Sequence, residues 1–247
     1  MDSNIEKASG RVRTRIIKVL LVLIIAAIGI YQTSLKPTDP TDSSTQSLPS
    51  VVQSPASEAL MALEIKGRAP KTGYSRAQFG DGWPNTDGCD TRNRILARDL
   101  SNATYVPTLE LVVCKVASGT LNDPYTGKII QFVRGELTSD DVQIDHVIAL
   151  SDAWQKGAQL LTPEERVKLA NDPLELLAVD GAANQQKSDG DAATWLPPNK
   201  SYRCSYVARQ IAVKKKYKLW VTRSEYDTMA NVLNTCPQQT LPPQPSS

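Results

Sequence analysis

The sequence predicts an α+β domain, and three observations carry that expectation. Apolar residues make up 40% and charged residues 22% of 247 residues, enough for a packed core in a domain of ordinary size. Short β-branched runs alternate with segments whose apolar residues recur at helical spacing. All four tryptophans lie between Trp83 and Trp220, which places the core in the last two-thirds of the chain. The expected arrangement is a strand–strand–helix (ββα) core, with an N-terminal helix and hairpin before it and a C-terminal helical hairpin after it.

The segments preceding that domain read differently. Residues 1–31 carry Lys7, Arg11, Arg13, Arg15 and Lys18 against Asp2 and Glu6, a net of +3; with +2 over the whole chain, the remainder stands at −1. Residues 19–31 form an apolar run, shorter than the ~20 residues of a spanning helix. Behind a basic flank it reads as a signal or anchor segment with that flank in the cytoplasm. The protein is therefore expected either at the cell membrane, held by this segment with the domain outside the cytoplasm, or secreted if the segment is cleaved. Residues 32–56 are rich in Pro, Ser and Thr and read as a disordered linker, and 237–247 as a disordered tail. The folded domain is expected over 57–236.

Within it, 57–63 reads as a short capped helix. Residues 70–90 form a Gly- and Asp-rich loop carrying Tyr74, Arg76, Phe79 and Trp83. Residues 91–100 are helical, with Asp90 placed to cap them. Apolar 109–116 and 128–133 read as strands of a hairpin around the Asp123-Pro124-Tyr125-Thr126-Gly127 turn. A strand over 142–148 carries Asp145 and His146. Helical segments at 151–161 and 163–170, a strand at 174–179 and a helix at 181–188 follow. Helices at 201–218 and 223–234 close the domain.

Cys89, Cys114, Cys204 and Cys236 are even in number and widely spaced, as in an exported protein with two disulfides. Four cysteines allow three pairings. Cys89–Cys114 is favoured as a compact loop closure, and Cys204–Cys236 because an antiparallel helical hairpin brings its two ends together. Zinc ligation is disfavoured, since no CxxC pair exists and there is one histidine.

That histidine, His146, directly follows a carboxylate. An unperturbed imidazole suits general-base work near neutral pH. A carboxylate and an amide oxygen suit Mg²⁺, which retains waters and takes phosphate as a further ligand. Asp145 and Asn184 supply those oxygens, and Lys187 lies one helical turn beyond Asn184, placed to contact a phosphate oxygen. Adjacent strand residues point to opposite faces, so Asp145 and His146 meet one phosphate only if the strand ends or twists there.

Ile144-Asp145-His146-Val147-Ile148, Asn171-Asp172 with Leu176-Leu177, and Asn184-Gln185-Gln186-Lys187-Ser188 resemble the HNH (ββα-metal) nucleases, in the branch of the GmrSD-type restriction endonuclease C-terminal domain. Tyr74-x-Arg76-x-x-Phe79-Gly80-x-x-Trp83, Cys89-Asp90-Thr91-Arg92-Asn93, Asp123-Pro124-Tyr125-Thr126-Gly127 and Trp195-Leu196-Pro197-Pro198 look like a secreted bacterial subgroup. The resemblance implies Asp145 and Asn184 as ligands of Mg²⁺ or another divalent cation such as Mn²⁺. It implies His146 as general base and Asn171 as the loop amide that orients it. It implies DNA as substrate, with RNA the other candidate. Asp replaces the first His of the name-giving motif and Asn the last, so the cation rests on two oxygen ligands.

From Lys200 to Arg223 there are eight Lys or Arg residues and no acid. Lys214, Lys215 and Lys216, with Arg92, are expected to contact the phosphate backbone, which carries no sequence information. The expected activity is thus endonucleolytic, with low sequence specificity. The alternative is a catalytically degenerate, membrane-tethered nucleic-acid-binding or interaction module.

Overall fold

A computed structural model describes residues 54–109 and 112–243; the N-terminal segment and most of the linker lie outside them. Among the described residues no helix is long and apolar enough to cross a membrane. The described residues form an α+β architecture with seven α-helices and three small antiparallel sheets. Helix α1 (Pro55–Met61) starts where local chemistry dictates. Ser54 and Ser57 form a capping box, and Pro55 occupies the first turn, where no intrahelical N–H is needed. The carbonyl of Gln239 accepts from Ala56, and Leu241 packs on the core, so residues of the expected tail lie against the domain.

A two-stranded hairpin, β1 (Asn85–Thr86) and β2 (Cys89–Asp90), leads into α2 (Thr91–Asp99), capped by Asp90 as the sequence predicts. The next sheet corrects the expected hairpin. Its order is β3 (Leu100–Tyr105), β4 (Val116–Asn122), β5 (Ile129–Val133). Residues 112–115, expected within the first strand, are not a strand, and Val112 and Val113 are exposed. Strand β3 escaped the sequence reading because Leu100 is its one buried side chain and no alternation marks it. Gly119 on β4 admits close approach; a Cβ there would come within 2.9 Å of Leu100.

The predicted order strand, helical insertion, strand, helix is present. Strand β6 (Val142–His146) pairs with β7 (Leu176–Asp180), register Asp145↔Leu177 and His146↔Leu176. Between them run α3 (Leu150–Gln155), a 3₁₀ turn and α4 (Pro163–Ala170), and α5 (Gly181–Lys187) follows β7 at once. One face of the pair, with Val142, Ile144, Leu176 and Ala178, packs on α2 and the three-stranded sheet. Leu177 and Val179 join the larger core beneath α1, α6 (Arg203–Lys216) and α7 (Arg223–Leu233).

Both predicted disulfides are formed, Cys89–Cys114 and Cys204–Cys236, with Cα separations of 5.4 and 6.4 Å. A buried ion cluster ties the helical side together. Lys156 Nζ lies 2.9 Å from Asp152, 2.8 Å from Asp191 and 2.7 Å from Glu225. Lys214 Nζ lies 3.1 Å from Glu225, and Arg68 pairs with both Asp152 and Asp191 at 2.7 Å. Burial alone would lower the Lys156 pKa, but Glu225, Asp152 and Asp191 together raise it above the ordinary lysine value. Three cations against three carboxylates leave no uncompensated buried charge.

Glu225 is shared by two fully buried ammonium groups, so Glu225→Ala is expected to lower unfolding free energy by about 3–5 kcal/mol. Urea denaturation of wild type and variant measures it; a loss below ~1 kcal/mol would show that the cluster relaxes without it.

Candidate active site

Strand β6 ends at His146, and the side chains of Asp145 and His146 meet different partners. Asp145 turns toward α5. Its Oδ1 accepts from Lys187 Nζ at 2.9 Å and its Oδ2 from the Tyr125 hydroxyl at 2.5 Å. Burial pushes the Asp145 carboxyl above its ordinary range, and the Lys187 ammonium and Tyr125 hydroxyl hold that rise back. Burial likewise keeps Tyr125 protonated, so it donates.

Local sequence builds this arrangement. In the Asp123–Gly127 turn, Asp123 accepts from Thr126 N at 2.7 Å and from Asp180 N at 2.9 Å. The turn thereby presents Tyr125 to Asp145 and fixes the end of β7. Asp180 then caps α5 through Ala183 N, 2.8 Å away. Gly181 is required beside it, since a Cβ there would sit 2.0 Å from the Asp140 carbonyl oxygen.

His146 turns the other way. Its Nε2 lies 2.9 Å from the carbonyl oxygen of Ala170, and its ring stacks on Trp83 with centroids 5.7 Å apart and planes 9° apart. Ala170 is the last residue of α4, where a helix leaves carbonyls without an intrahelical partner. Burial first, then the Arg76 guanidinium, drops the imidazole pKa to about 3. The ring is therefore neutral at ordinary pH. A carbonyl only accepts, which assigns the proton to Nε2 and leaves Nδ1 its lone pair.

Both side chains, with Asn184, Gln143, Arg76 and Arg92, line one cleft of about 700 Å³. Asn184 donates from Nδ2 to Gln143 Oε1 at 2.9 Å, so its amide oxygen is the acceptor left over. Arg92 donates to the carbonyls of Ser139 and Val142 and keeps a place in the wall.

Other expected site residues are placed elsewhere. Lys187 is fully buried, bonded to Asp145 and, at 2.8 Å, to the His146 carbonyl, and does not line the cleft. Asn171 does not touch His146. Its Nδ2 donates to Val167 O at 3.0 Å, and the neighbouring Ala170 carbonyl holds the ring. The basic run is also corrected. Lys214 is buried in the ion cluster, Lys216 pairs with Asp172 at 2.6 Å, and Lys215 is exposed away from the cleft. Helical phase is the reason: Tyr206, Val207, Gln210, Ile211 and Val213 turn inward, and Lys214 falls on the same face.

Sequence reasoning gave no role to Tyr125, Gln143, Arg76 or Trp83. Period-two alternation from Asp145 points to Gln143. The other three lay inside the quoted motifs, but only tertiary contacts show what they meet. The loop that carries Arg76 and Trp83 is pinned by Trp154, which donates to Thr72 O, and by Arg166, which donates to Gln78 O at 2.9 Å.

The family described as GmrSD restriction endonucleases, C-terminal domain, matches residues 90–232. An uncharacterized secreted protein of Arthroderma benhamiae (strain ATCC MYA-4681 / CBS 112371) is 37% identical over 186 residues, covering 74% of this chain and 85% of that protein. No solved structure matches the chain.

Replacing Lys187 by Met leaves a buried carboxylate without its cation, with an expected loss of about 3–5 kcal/mol in unfolding free energy. A lysine serving only to contact substrate would leave the urea midpoint unchanged.

Proposed function

This chain belongs to the family of GmrSD restriction endonuclease C-terminal domains, and on that premise we propose that it is an exported, metal-dependent HNH-type endonuclease of low sequence specificity acting on DNA. The observation that carries the reading is the shared cleft of Asp145, His146 and Asn184 at the end of β6 and the start of α5. The relative's description as secreted and the two disulfides support a place outside the cytoplasm.

The donor set fits a hard divalent cation. Among the described residues no group of three or more His, Cys, Asp or Glu is placed to hold a metal. Asp145 keeps lone pairs beyond its two hydrogen bonds, and Asn184 has a free amide oxygen, with cleft space left for waters and a phosphate. Such a cation, Mg²⁺ or Mn²⁺, supplies neutralisation of charge on the scissile phosphate and leaving oxygen. Lys187 and Tyr125 orient Asp145 toward it.

His146 Nδ1 takes the proton of the attacking water. The Ala170 carbonyl and the Trp83 ring hold the imidazole in the required tautomer and plane. Arg76 has no ion-pair partner among the described residues and lines the same wall, so it faces a non-bridging phosphate oxygen. RNA presents the same phosphodiester chemistry and is the second substrate candidate. The bonds already made by Asp145 favour a second reading, a module that binds without cleaving. DNA binding with no cleavage in Mg²⁺, Mn²⁺ or Zn²⁺ would establish it.

His146→Ala is expected to abolish Mg²⁺-dependent nicking of supercoiled plasmid while leaving the fold intact by circular dichroism; retained nicking would sink the assignment. The pH profile follows from the depressed histidine pKa. The base form persists as pH falls, so the acid limb of kcat/KM is expected below the ordinary histidine value of ~6.5. Stability moves oppositely. The unfolded chain takes up a proton that the folded ring refuses, so this contribution is present above ~6.5 and is lost as pH falls toward 3. A limb centred at 6.5 or higher would contradict a buried neutral ring.

A further inference from the structure

The cleft does not end at Arg92. Trp83 and Arg92 also line a second cavity of about 530 Å³, together with Arg134, Lys115 and the Cys114 end of a disulfide. That volume lies within the range of small-ligand sites, roughly 300–1,000 Å³. Its charge is net positive. Burial and then the nearby Arg134 guanidinium lower the Arg92 pKa, with Asp90 and Asp140 opposing them. Neither has an ion pair with a carboxylate among the described residues. Arg92 donates to two backbone carbonyls, and Arg134 to Val116 O and Asn93 Oδ1. Lys115 is exposed, without a side-chain partner among the described residues. Among the described residues the one acid at the wall is Asp90, which accepts from the Asn93 backbone and side-chain N–H groups.

Three cations against one carboxylate leave the wall net positive beside an indole, which is complementary to a phosphate carrying a planar base. The indole has one face against His146, which binds the second cavity to the first. We propose that this cavity is a subsite for the nucleotide next to the scissile phosphate, and that the preferred substrate is therefore an unpaired strand. A base enters such a pocket and stacks on an aromatic side chain only when it is free of its own stack. A paired duplex lays its phosphates across the mouth and leaves the pocket empty. This deepens the nuclease reading and rests on it.

The test uses the full, oxidised chain in EDTA, with fluorescence anisotropy of a labelled 12-nucleotide oligothymidylate and of a 12-base-pair duplex. The single strand is expected to bind at least ~10-fold more tightly, a gap of ~1.4 kcal/mol. Lys115→Glu is expected to remove most of that preference and to lower the salt dependence of single-strand binding, with duplex binding little changed. Lys115 has no side-chain partner among the described residues, and Arg134→Gln is the second variant; the urea midpoint of each checks its folding. Equal binding of the two probes, or a preference untouched by both variants, overturns the subsite. Cleavage in Mg²⁺ without single-strand preference overturns it while leaving the nuclease reading standing. A preference that Lys115→Glu removes, without cleavage in Mg²⁺, supports the subsite and sinks the nuclease reading.

Discussion

The ion pair between Lys187 and Asp145 is the constraint on which the site depends. An ammonium group removed entirely from water must be paired and fully hydrogen-bonded. Lys187 meets that demand by bonding the Asp145 carboxylate and the His146 carbonyl together, which fixes the end of β6 to α5. Once these are joined, α5 must begin without a connecting loop after β7. That in turn requires Gly181 against the Asp140 carbonyl and the Asp123 turn that secures Asp180 and delivers Tyr125. A carboxylate held from two sides is pre-oriented, which is what a small hard cation with few protein ligands needs.

Cations in this protein divide by partner. Lys156, Lys214, Arg68, Lys187 and Lys216 all face carboxylates and serve the frame. Arg92, Arg134 and Lys115 have no carboxylate partner among the described residues, nor does Arg76, and all four line the cleft or the cavity beside it. Burial beside a carboxylate, which position in a basic run does not reveal, is what commits Lys187 and Lys214 to the frame.

That division marks what was legible in the sequence. Element order around Asp145 and His146, both disulfides, the cap at Asp90 and the shared cleft with Asn184 all follow from periodicity, spacing and residue chemistry, or from the motif resemblance. The expectation for Lys214 rests on a linear basic run and that for Lys187 on its spacing to Asn184, and neither signal reports burial; both side chains are buried. Strand β3 was missed because its stability comes from its partner β4 rather than from an apolar face of its own. Asn171 was one residue from the group that matters, since a helix end offers the carbonyl of Ala170, and backbone acceptors leave no mark in side-chain chemistry. Asp145 and His146 do turn to different partners, and both still line one cleft at the end of β6.

Because the chain has a single histidine, the state of the proposed base can be read directly. Nitrogen–proton correlation NMR of the uniformly ¹⁵N-labelled protein, followed from pH 8 to pH 5, reports both charge and tautomer of one ring. The account predicts a neutral imidazole protonated at Nε2 throughout that range, with Nδ1 as the acceptor. An imidazolium appearing near pH 6.5, or a proton resident on Nδ1, would contradict it.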